Sequence, residues 1–365
     1  MKKLILFFFL LANLSVFAHP WKINNYIIVD TDGGIDDYRA LCLLLSAPDV
    51  RVLAVTASSG VLSAENTAVK VKALFNSFHH EGILIAVNSY TKGLGENCQT
   101  ATNFSWGDDD SVNSSEFISI DSLANYLSVE CKNKIDFINL GSLSTASYLI
   151  SSNTCFSGLI NRIIWSNDAV FPPQGFNYEN DTTAVFLLIR LNIPIHIIQG
   201  EGEYSDNYIR TIESFIELPA QRMCRSFTND VLKSPFGHRM FDEMVAVYLH
   251  YPEKYLKDST GGFIFYRMNT DFKEETNNYI INILKENNTY LNQIINKLPI
   301  DTSFYKQDVR TLMKEIIAKH GVIEWNTAVT TFELHRHIGT YALIGAKMGI
   351  RALEYFGAGI DEITI

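Results

Sequence analysis

Ile27-Ile28-Val29-Asp30-Thr31-Asp32-Gly33-Gly34-Ile35-Asp36-Asp37 is the stretch that is most informative about the fold of this chain. An apolar run typical of a buried strand leads into four aspartates and two glycines, and an apolar helix pattern follows. Asp30 and Asp32 alternate along the strand and share one face, while Asp36 and Asp37 open the helix. Four carboxylates this close repel one another strongly unless a cation lies among them. Because the stretch contains no Cys or His, its oxygen ligands favour Ca²⁺ or Mg²⁺ over zinc.

Each of these features also has an ordinary structural explanation. Aspartate is common at helix N-termini, where it accepts hydrogen bonds from free N–H groups and favours the helix dipole. A Gly-Gly pair is common in turns. Neither explanation accounts for Asp30 and Asp32, which lie at the carboxyl end of a strand, where open α/β sheets bind their ligands. We therefore interpret the stretch as a functional site.

The segment from Asp30 to Leu41 resembles the N-terminal signature of the inosine/uridine-preferring nucleoside hydrolases, usually D-[TC]-D-P-G-x-D-D-x-x-A. One position departs, because Gly33 stands where that family normally carries proline. The resemblance implies an α/β fold with a mostly parallel open sheet and helices on both faces. It also implies a Ca²⁺-dependent hydrolase that cleaves the N-glycosidic bond of a small-molecule ribonucleoside to give ribose and a free base.

Three later segments resemble the same family in the same order, and they are Phe137–Ser144, Phe176–Asp181 and Met240–Val247. The resemblance implies a set of metal ligands comprising Asp32, Asp37, the carbonyl of Leu140 and Asp242. It implies that Asp32 is also the general base, while Asp36 and Asn177 bind the ribose. Local sequence alone leaves simpler roles open, since Ser142 or Ser144 and Asp242 are also typical helix caps.

Several pocket positions depart from the family. Val61 replaces an asparagine near the ribose, Phe241 replaces a histidine that helps to protonate the leaving base in part of the family, and Gly175 and Ala169 replace contacts to the 5′-hydroxyl. His238 and Trp165 are candidates for protonating or stacking on the base, although a loop hydrogen bond and core packing are the ordinary roles of such residues.

Two alternatives therefore stay open. The first is a non-catalytic or specialised relative that binds a ribosyl ligand through a metal-ordered pocket. The second is a metal-dependent phosphatase, since Asp-x-Asp after a strand also serves haloacid-dehalogenase-like enzymes. Asp36 and Asp37 follow the pair here instead of the Gly-Thr/Ser-Leu pattern of those enzymes, which favours the hydrolase.

Composition limits the class of partner. The chain has 365 residues, of which 47% are hydrophobic and 19% charged, enough to bury a large core. Its net charge of −10, with no basic block, argues against a nucleic-acid partner. The five cysteines form no metal-ligand spacing, and a disulfide between two of them stays open. Homo-oligomer formation also stays open.

Residues 1–18 read as a secretory signal peptide. Lys2 and Lys3 precede an apolar run that reaches Phe17, and Ala18 ends a small-residue cleavage site. We therefore expect a periplasmic or secreted protein that keeps no stable membrane anchor after cleavage.

The remaining chain alternates strand and helix patterns up to about residue 200, which predicts a mostly parallel sheet. Residues 205–255 and 268–320 read as helix-rich, and the polar insertion 89–116 reads as a surface lid or rim. We expect one α/β domain over residues 19–325 and a helical C-terminal extension over residues 326–365.

Overall fold

The structure is a computed structural model in which two compact units are distinguished. One unit comprises Asn24–Asn288, and the other comprises Met1–Ile23 together with Thr289–Ile365. The described residues are 25–47, 50–78, 83–90, 98–107, 117–167, 174–200, 202–215, 218–234, 237–260, 263–285, 307–335 and 344–351. The signal-peptide prediction for residues 1–18 and the prediction at Ala169 lie outside them.

The larger unit is built on a nine-stranded sheet with the strand order β4-β3-β2-β1-β5-β6-β7-β9-β8. All neighbouring strands are parallel except β8 and β9, which form an antiparallel pair at one edge. The strands are β1 Asn25–Thr31, β2 Val50–Ala57, β3 Leu84–Val87, β4 Ile118–Ser119, β5 Ile135–Asn139, β6 Ile160–Asn167, β7 Ile195–Gln199, β8 Tyr255–Thr260 and β9 Phe263–Met268.

Helices connect most of the parallel strands, which confirms the predicted α/β class. In the larger unit they are α1 Ile35–Ser46, α2 Ala64–Ser77, α3 Gln99–Asn103, α4 Ile120–Glu130, α5 Ser144–Ser152, α6 Thr154–Leu159, α7 Phe176–Asn180, α8 Thr182–Arg190, α9 Asp206–Glu213, α10 Leu218–Cys224, α11 Asn229–Leu232, α12 Glu243–His250 and α13 Thr276–Leu284. Three 3₁₀ turns, Arg225–Phe227, Pro252–Lys254 and Thr270–Glu275, complete this unit's described helical structure.

Each strand of the sheet centre contributes to two separate hydrophobic cores. In β1, Ile27 and Val29 join the core that contains residues of α1, α9, α10, α12 and α13, whereas Ile28 joins the core of α4, α5 and α8. This split follows from the alternation of side chains along a strand. Because helices cover both faces, the central strands are mainly apolar, and the buried polar side chains of β1 and β2 are concentrated where these strands end.

Two predictions about individual segments need correction. The helix-rich prediction over 205–255 and 268–320 did not anticipate the β8–β9 pair between and beside those ranges. The insertion 89–116 is not simply a surface rim: Trp106 is fully buried and lies edge-on to Tyr38 of α1, with ring centroids 5.5 Å apart. None of the five cysteines forms a disulfide.

The described part of the smaller unit is helical, as expected for the C-terminal extension. Its helix α14, Gln307–His335, is interrupted at Gly321, where φ is 85°. Among the described residues of the whole chain, no helix combines the length and apolarity that a bilayer span requires.

Candidate metal and substrate site

Three carboxylates converge at the carboxyl edge of the sheet. Asp36 and Asp37 occupy the first turn of α1, and Asp242 directly precedes α12. One oxygen from each lies within 4.8 Å of the other two. Asp37 and Asp242 are buried, while Asp36 is partly exposed. The structure thus brings together Asp37 and Asp242, which lie about two hundred positions apart and were predicted to bind one metal. The third carboxylate of this group is Asp36, predicted as a sugar contact, whereas Asp32, predicted as a metal ligand, is not part of the group.

The Asp37 carboxylate is held rigidly by its own turn. Its Oδ1 accepts hydrogen bonds from the Thr31 hydroxyl at 2.6 Å and the Asp32 backbone N–H at 3.2 Å. Its Oδ2 accepts from the Gly34 N–H at 3.0 Å. Asp37 therefore does cap the start of α1, and the same contacts fix its position beside Asp242.

Asp32 is almost fully buried at the end of β1. A Cβ added at Gly60 would lie 2.1 Å from Asp32 Oδ2, so the backbone there approaches as closely as only glycine permits. Gly141 also lies close to this side chain, since a Cβ added there would lie 3.1 Å from Asp32 Cβ. Among the described residues, Asp32 Oδ2 has no hydrogen-bond partner. A buried carboxylate oxygen with no donor is costly, which is the situation expected of an oxygen that binds a cation or a reacting water.

Burial and mutual repulsion raise the pKa values of this cluster. Burial raises the pKa of Asp32 well above its usual range, and the charges of Asp37, Asp36 and Asp30 raise it further. The pKa of Asp37 is raised to about 7, first by burial and then by Asp36. Burial and the charges of Asp36 and Asp37 also raise the pKa of Asp242. The site would gain stability from a positive charge placed among these groups.

Asp30 is part of a buried hydroxyl network behind the cluster. It accepts hydrogen bonds from Thr56 Oγ1 at 2.6 Å and Ser58 Oγ at 2.9 Å. Burial nevertheless raises the pKa of Asp30 to about 7, against the opposing effect of these hydroxyls and of Thr145. These partners come from β2, its following loop and α5, and the sequence motif did not reveal them.

The turn after β5 is held by amide side chains. Asn177 Nδ2 donates to the Leu140 carbonyl at 2.6 Å and to the Ser166 carbonyl at 3.1 Å. Asn139 Nδ2 donates to the carbonyls of Gly141 and Ser142. Asn177 and Leu140, predicted separately as a sugar contact and a metal ligand, are therefore direct neighbours. A carbonyl oxygen has a second lone pair, so this hydrogen bond leaves Leu140 able to bind a cation.

Trp165 and His238, the two residues considered for stacking on or protonating the leaving base, have different surroundings. Trp165 is completely buried at the end of β6, and its Nε1 donates to the Gly141 carbonyl at 3.0 Å, so it packs in the core beneath the site. His238 Nδ1 lies 3.1 Å from the backbone carbonyl of Tyr204. This is the loop hydrogen bond that the sequence left open for His238, and neither contact assigns a catalytic role.

Comparison with known proteins places this site in a family. Residues 27–283 match the family described as "Inosine-uridine preferring nucleoside hydrolase". Search of curated protein sequences returned no match.

Solved structures of nucleoside hydrolases share the fold. A plant nucleoside hydrolase has 15% sequence identity and a TM-score of 0.57, over 72% of this chain and 99% of its own. The inosine-uridine preferring nucleoside hydrolase from Bacillus anthracis has 14% identity and a TM-score of 0.57, over 72% and 99%. The purine-preferring ribonucleoside hydrolase from Gardnerella vaginalis has 14% identity and a TM-score of 0.54, over 72% and 100%.

Proposed function

Because this chain belongs to the inosine-uridine preferring nucleoside hydrolase family, we propose that it cleaves the N-glycosidic bond of ribonucleosides, releasing ribose and the free base. The observation that carries the proposal is the convergence of Asp36, Asp37 and Asp242 within 4.8 Å at the carboxyl edge of the sheet. Helix capping alone would not require the buried carboxylates of Asp37 and Asp242, from two distant segments, to lie next to each other.

A Ca²⁺ ion is the cofactor that we propose. The donors are all oxygens, the carboxylates repel one another, and Asp32 Oδ2 is buried with no donor among the described residues, so the site fits a hard cation. Asp32, Asp37, Asp242 and the Leu140 carbonyl would hold it. When bound, such an ion lowers the pKa of a coordinated water and stabilises developing negative charge.

Asp32 is proposed as the general base. Its buried environment raises the affinity of its carboxylate for a proton, and Gly60 and Gly141 confine the side chain to one position. A base held in this way can accept the proton of the attacking water as the glycosidic bond breaks through an oxocarbenium-like state.

Asp36 and Asn177 are proposed to bind the sugar. Asp36 is the partly exposed member of the carboxylate cluster, which leaves it accessible to a ribose hydroxyl. The amide nitrogen of Asn177 already donates to two backbone carbonyls, so its side-chain oxygen is the atom that would accept a hydrogen bond from ribose.

A non-catalytic relative is the second candidate function. Phe241, Val61 and Gly175 remove polar groups that the family uses around the base and the ribose. Such a protein would bind Ca²⁺ and a ribosyl ligand without turnover.

Export from the cytoplasm belongs to either proposal and is supported by the composition of residues 1–18. Determining the N-terminal residue of protein recovered outside the cell tests it.

Ribose release from inosine, adenosine, guanosine, uridine and cytidine, measured with Ca²⁺ and with EGTA, tests the proposal. We expect EGTA-sensitive release by the wild type and a loss of about 10²–10⁴-fold in Asp32→Asn, the range usual for a general base. The matched control is Asp258→Asn, because Asp258 is an exposed aspartate of β8, and this variant should keep wild-type rates.

Wild-type rates in Asp32→Asn would contradict the proposed role of Asp32 as general base. Ca²⁺ binding without release would favour the non-catalytic relative, and turnover of p-nitrophenyl phosphate would favour a phosphatase.

A further inference from the structure

Arg39 is a buried arginine that lies next to the carboxylate cluster without belonging to it. It follows Asp36 by three residues on α1, so the two side chains emerge from the same side of the helix. Its side chain is 1% exposed. A charged side chain this deeply buried is tolerated only when its hydrogen-bond donors have acceptors. The acceptors of Arg39 therefore show which segments of the chain it holds in place.

The guanidinium of Arg39 binds the backbone that leads to Asp242. Nε donates to Ser226 Oγ at 2.9 Å, and Nη2 donates to the carbonyls of Ser226 at 3.2 Å and Gly237 at 2.7 Å. Nη1 donates to the Arg239 carbonyl at 3.3 Å. The last of these carbonyls belongs to the residue three positions before Asp242, so a side chain of α1 sets the path of the chain into the third carboxylate.

The same guanidinium pairs with Glu243, which directly follows Asp242. Arg39 Nη1 lies 3.6 Å from Glu243 Oε1, and both side chains are buried. Glu243 Oε1 also accepts from the Tyr204 hydroxyl at 2.9 Å, and Oε2 accepts from the Phe241 N–H at 2.9 Å. Residues on both sides of Asp242 are therefore held through one ion pair.

Aromatic rings restrict the guanidinium further. The Arg39 Cζ lies 5.0 Å from the ring centroid of Tyr204 and 4.9 Å from that of Phe227. A planar guanidinium between two rings keeps a fixed orientation, which a lysine ammonium would not.

We propose that Arg39, through its backbone contacts and its pair with Glu243, is a positioning residue that holds Asp242 against Asp36 and Asp37 in the arrangement that accepts a divalent cation. This inference rests on the proposed function, because it takes the carboxylate cluster to be a cation site. Arg39 lies at a position that the family signature leaves unspecified, and the signature assigns no role to it or to Glu243.

A simple electrostatic role for Arg39 predicts the opposite result. Removing a positive charge beside the cluster would lower the repulsion of an incoming cation and strengthen binding. Removing a positioning group would weaken binding even when the net charge of the site is unchanged. The double variant Arg39→Met/Glu243→Gln separates the two, because it removes one positive and one negative charge and leaves no buried ion unpaired.

Calcium binding to the full chain, stripped with EGTA and measured by isothermal titration calorimetry, is the test. We expect the Kd for Ca²⁺ to rise at least tenfold in Arg39→Met and in the double variant, and by less in Arg39→Lys. The matched control is Arg162→Met, because Arg162 also forms a part-buried ion pair, with Asp136 at 2.7 Å. Arg162 lies near the start of β6, away from the carboxyl ends of the strands where the carboxylate cluster lies. It should lower the melting temperature yet leave the Kd within twofold of wild type.

The outcomes are distinguishable. A folded double variant with a Kd within twofold of wild type, or tighter binding by Arg39→Met, would overturn the positioning role. If neither methionine variant folds, Arg39→Lys decides, since a wild-type Kd there would equally exclude a requirement for the guanidinium. Absence of Ca²⁺ binding by the wild type would instead overturn the proposed cation site itself.

Discussion

At the scale of single residues, Gly33 shows one position at which the turn of this chain excludes the residue usual in its family. Its φ is +92°, a conformation that side chains rarely adopt and that proline, fixed near −65°, cannot reach. A Cβ at this position would lie 2.8 Å from Leu62 Cδ1 and from Thr67 Oγ1. The proline usual in the family therefore does not fit the turn that this chain makes.

Restoring the proline of the family should consequently harm the protein. We expect Gly33→Ala to lower the free energy of unfolding by about 1–3 kcal/mol through strain, and Gly33→Pro to lower it further. Gly158→Ala is the control, since a Cβ there meets nothing within 4 Å and should change stability by less than about 1 kcal/mol. Urea unfolding measures all three. A Gly33→Pro variant as stable as wild type would mean that the turn readily adopts another conformation.

The sequence predicts some residues of the site far better than others. Asp242 could be assigned to this site only through the resemblance to the family, whereas Asp32, Asp36 and Asp37 are predictable as neighbours because they lie in one strand-to-helix turn. The hydrogen bond between Asn177 and the Leu140 carbonyl and the pair between Arg39 and Glu243 are not, because each depends on tertiary packing of segments distant in sequence.

At the scale of elements, the central strands were predictable and the edge was not. Strands β1, β2, β5 and β6 are rich in apolar residues because helices cover both of their faces. Strand β8 carries Lys257, Asp258 and Ser259, all exposed, since an edge strand needs little apolar surface and benefits from charge. Its composition therefore resembles that of a loop. Strand β4 has two residues, too few for any periodicity.

Strand β7 contains a histidine that should make stability depend on pH. Burial, with a smaller effect from Arg162, lowers the pKa of His196 from 6.5 to about 4, while Asp136 opposes the shift. The unfolded chain binds a proton at this residue between these two values and the folded chain does not. His196 therefore contributes stability above pH 6.5 that is lost as the pH falls toward 4.

Replacement of His196 by glutamine should remove that loss. The difference in melting temperature between His196→Gln and wild type is expected to move in favour of the variant as the pH falls from 6.5 to 4.5. Gln199→Asn, in the same strand, is the comparison variant, because it removes no titrating group and should show no such trend. A constant difference across this range would contradict the assignment to His196.

At the scale of the whole molecule, the buried carboxylates should govern how stability responds to calcium. The pKa values of Asp30, Asp37 and Glu243 are each raised to about 7, chiefly by burial. The folded chain therefore binds more protons than the unfolded chain between the ordinary carboxyl pKa values and about 7. Stability from these groups is present below about pH 4 and is lost as the pH rises through 7.

Without a cation, we accordingly expect the melting temperature to fall between pH 6 and pH 8, a window above most of the His196 transition. Added Ca²⁺ should raise the melting temperature at pH 8 by more than at pH 5.5, because it replaces the protons that the cluster loses. Differential scanning calorimetry with EGTA and with Ca²⁺ measures both. An equal calcium effect at the two pH values would contradict this coupling.

The overall architecture followed from the alternation of strand and helix patterns, because a parallel sheet requires a crossover element between its strands. The pattern did not predict that residues 98–107 would insert Phe104 and Trp106 against Tyr38, since the surrounding polar residues conceal two aromatic side chains. In the C-terminal unit, the sequence pattern did not predict that Gly321 interrupts the helical run from Gln307 to His335.

The strand order has a consequence for how the chain acquires its shape. Strand β1, the first strand in sequence, lies between β2 and β5 and leads into Asp36 and Asp37. Asp242 can join these two aspartates only after the intervening chain of about two hundred residues has brought the two segments together. Distant contacts of this kind form slowly and late. During synthesis, at roughly 5–20 residues per second, Asp36 and Asp37 therefore exist for about ten seconds or more before Asp242 has been made. A cation that needs all three carboxylates would be bound only after this long-range contact has formed.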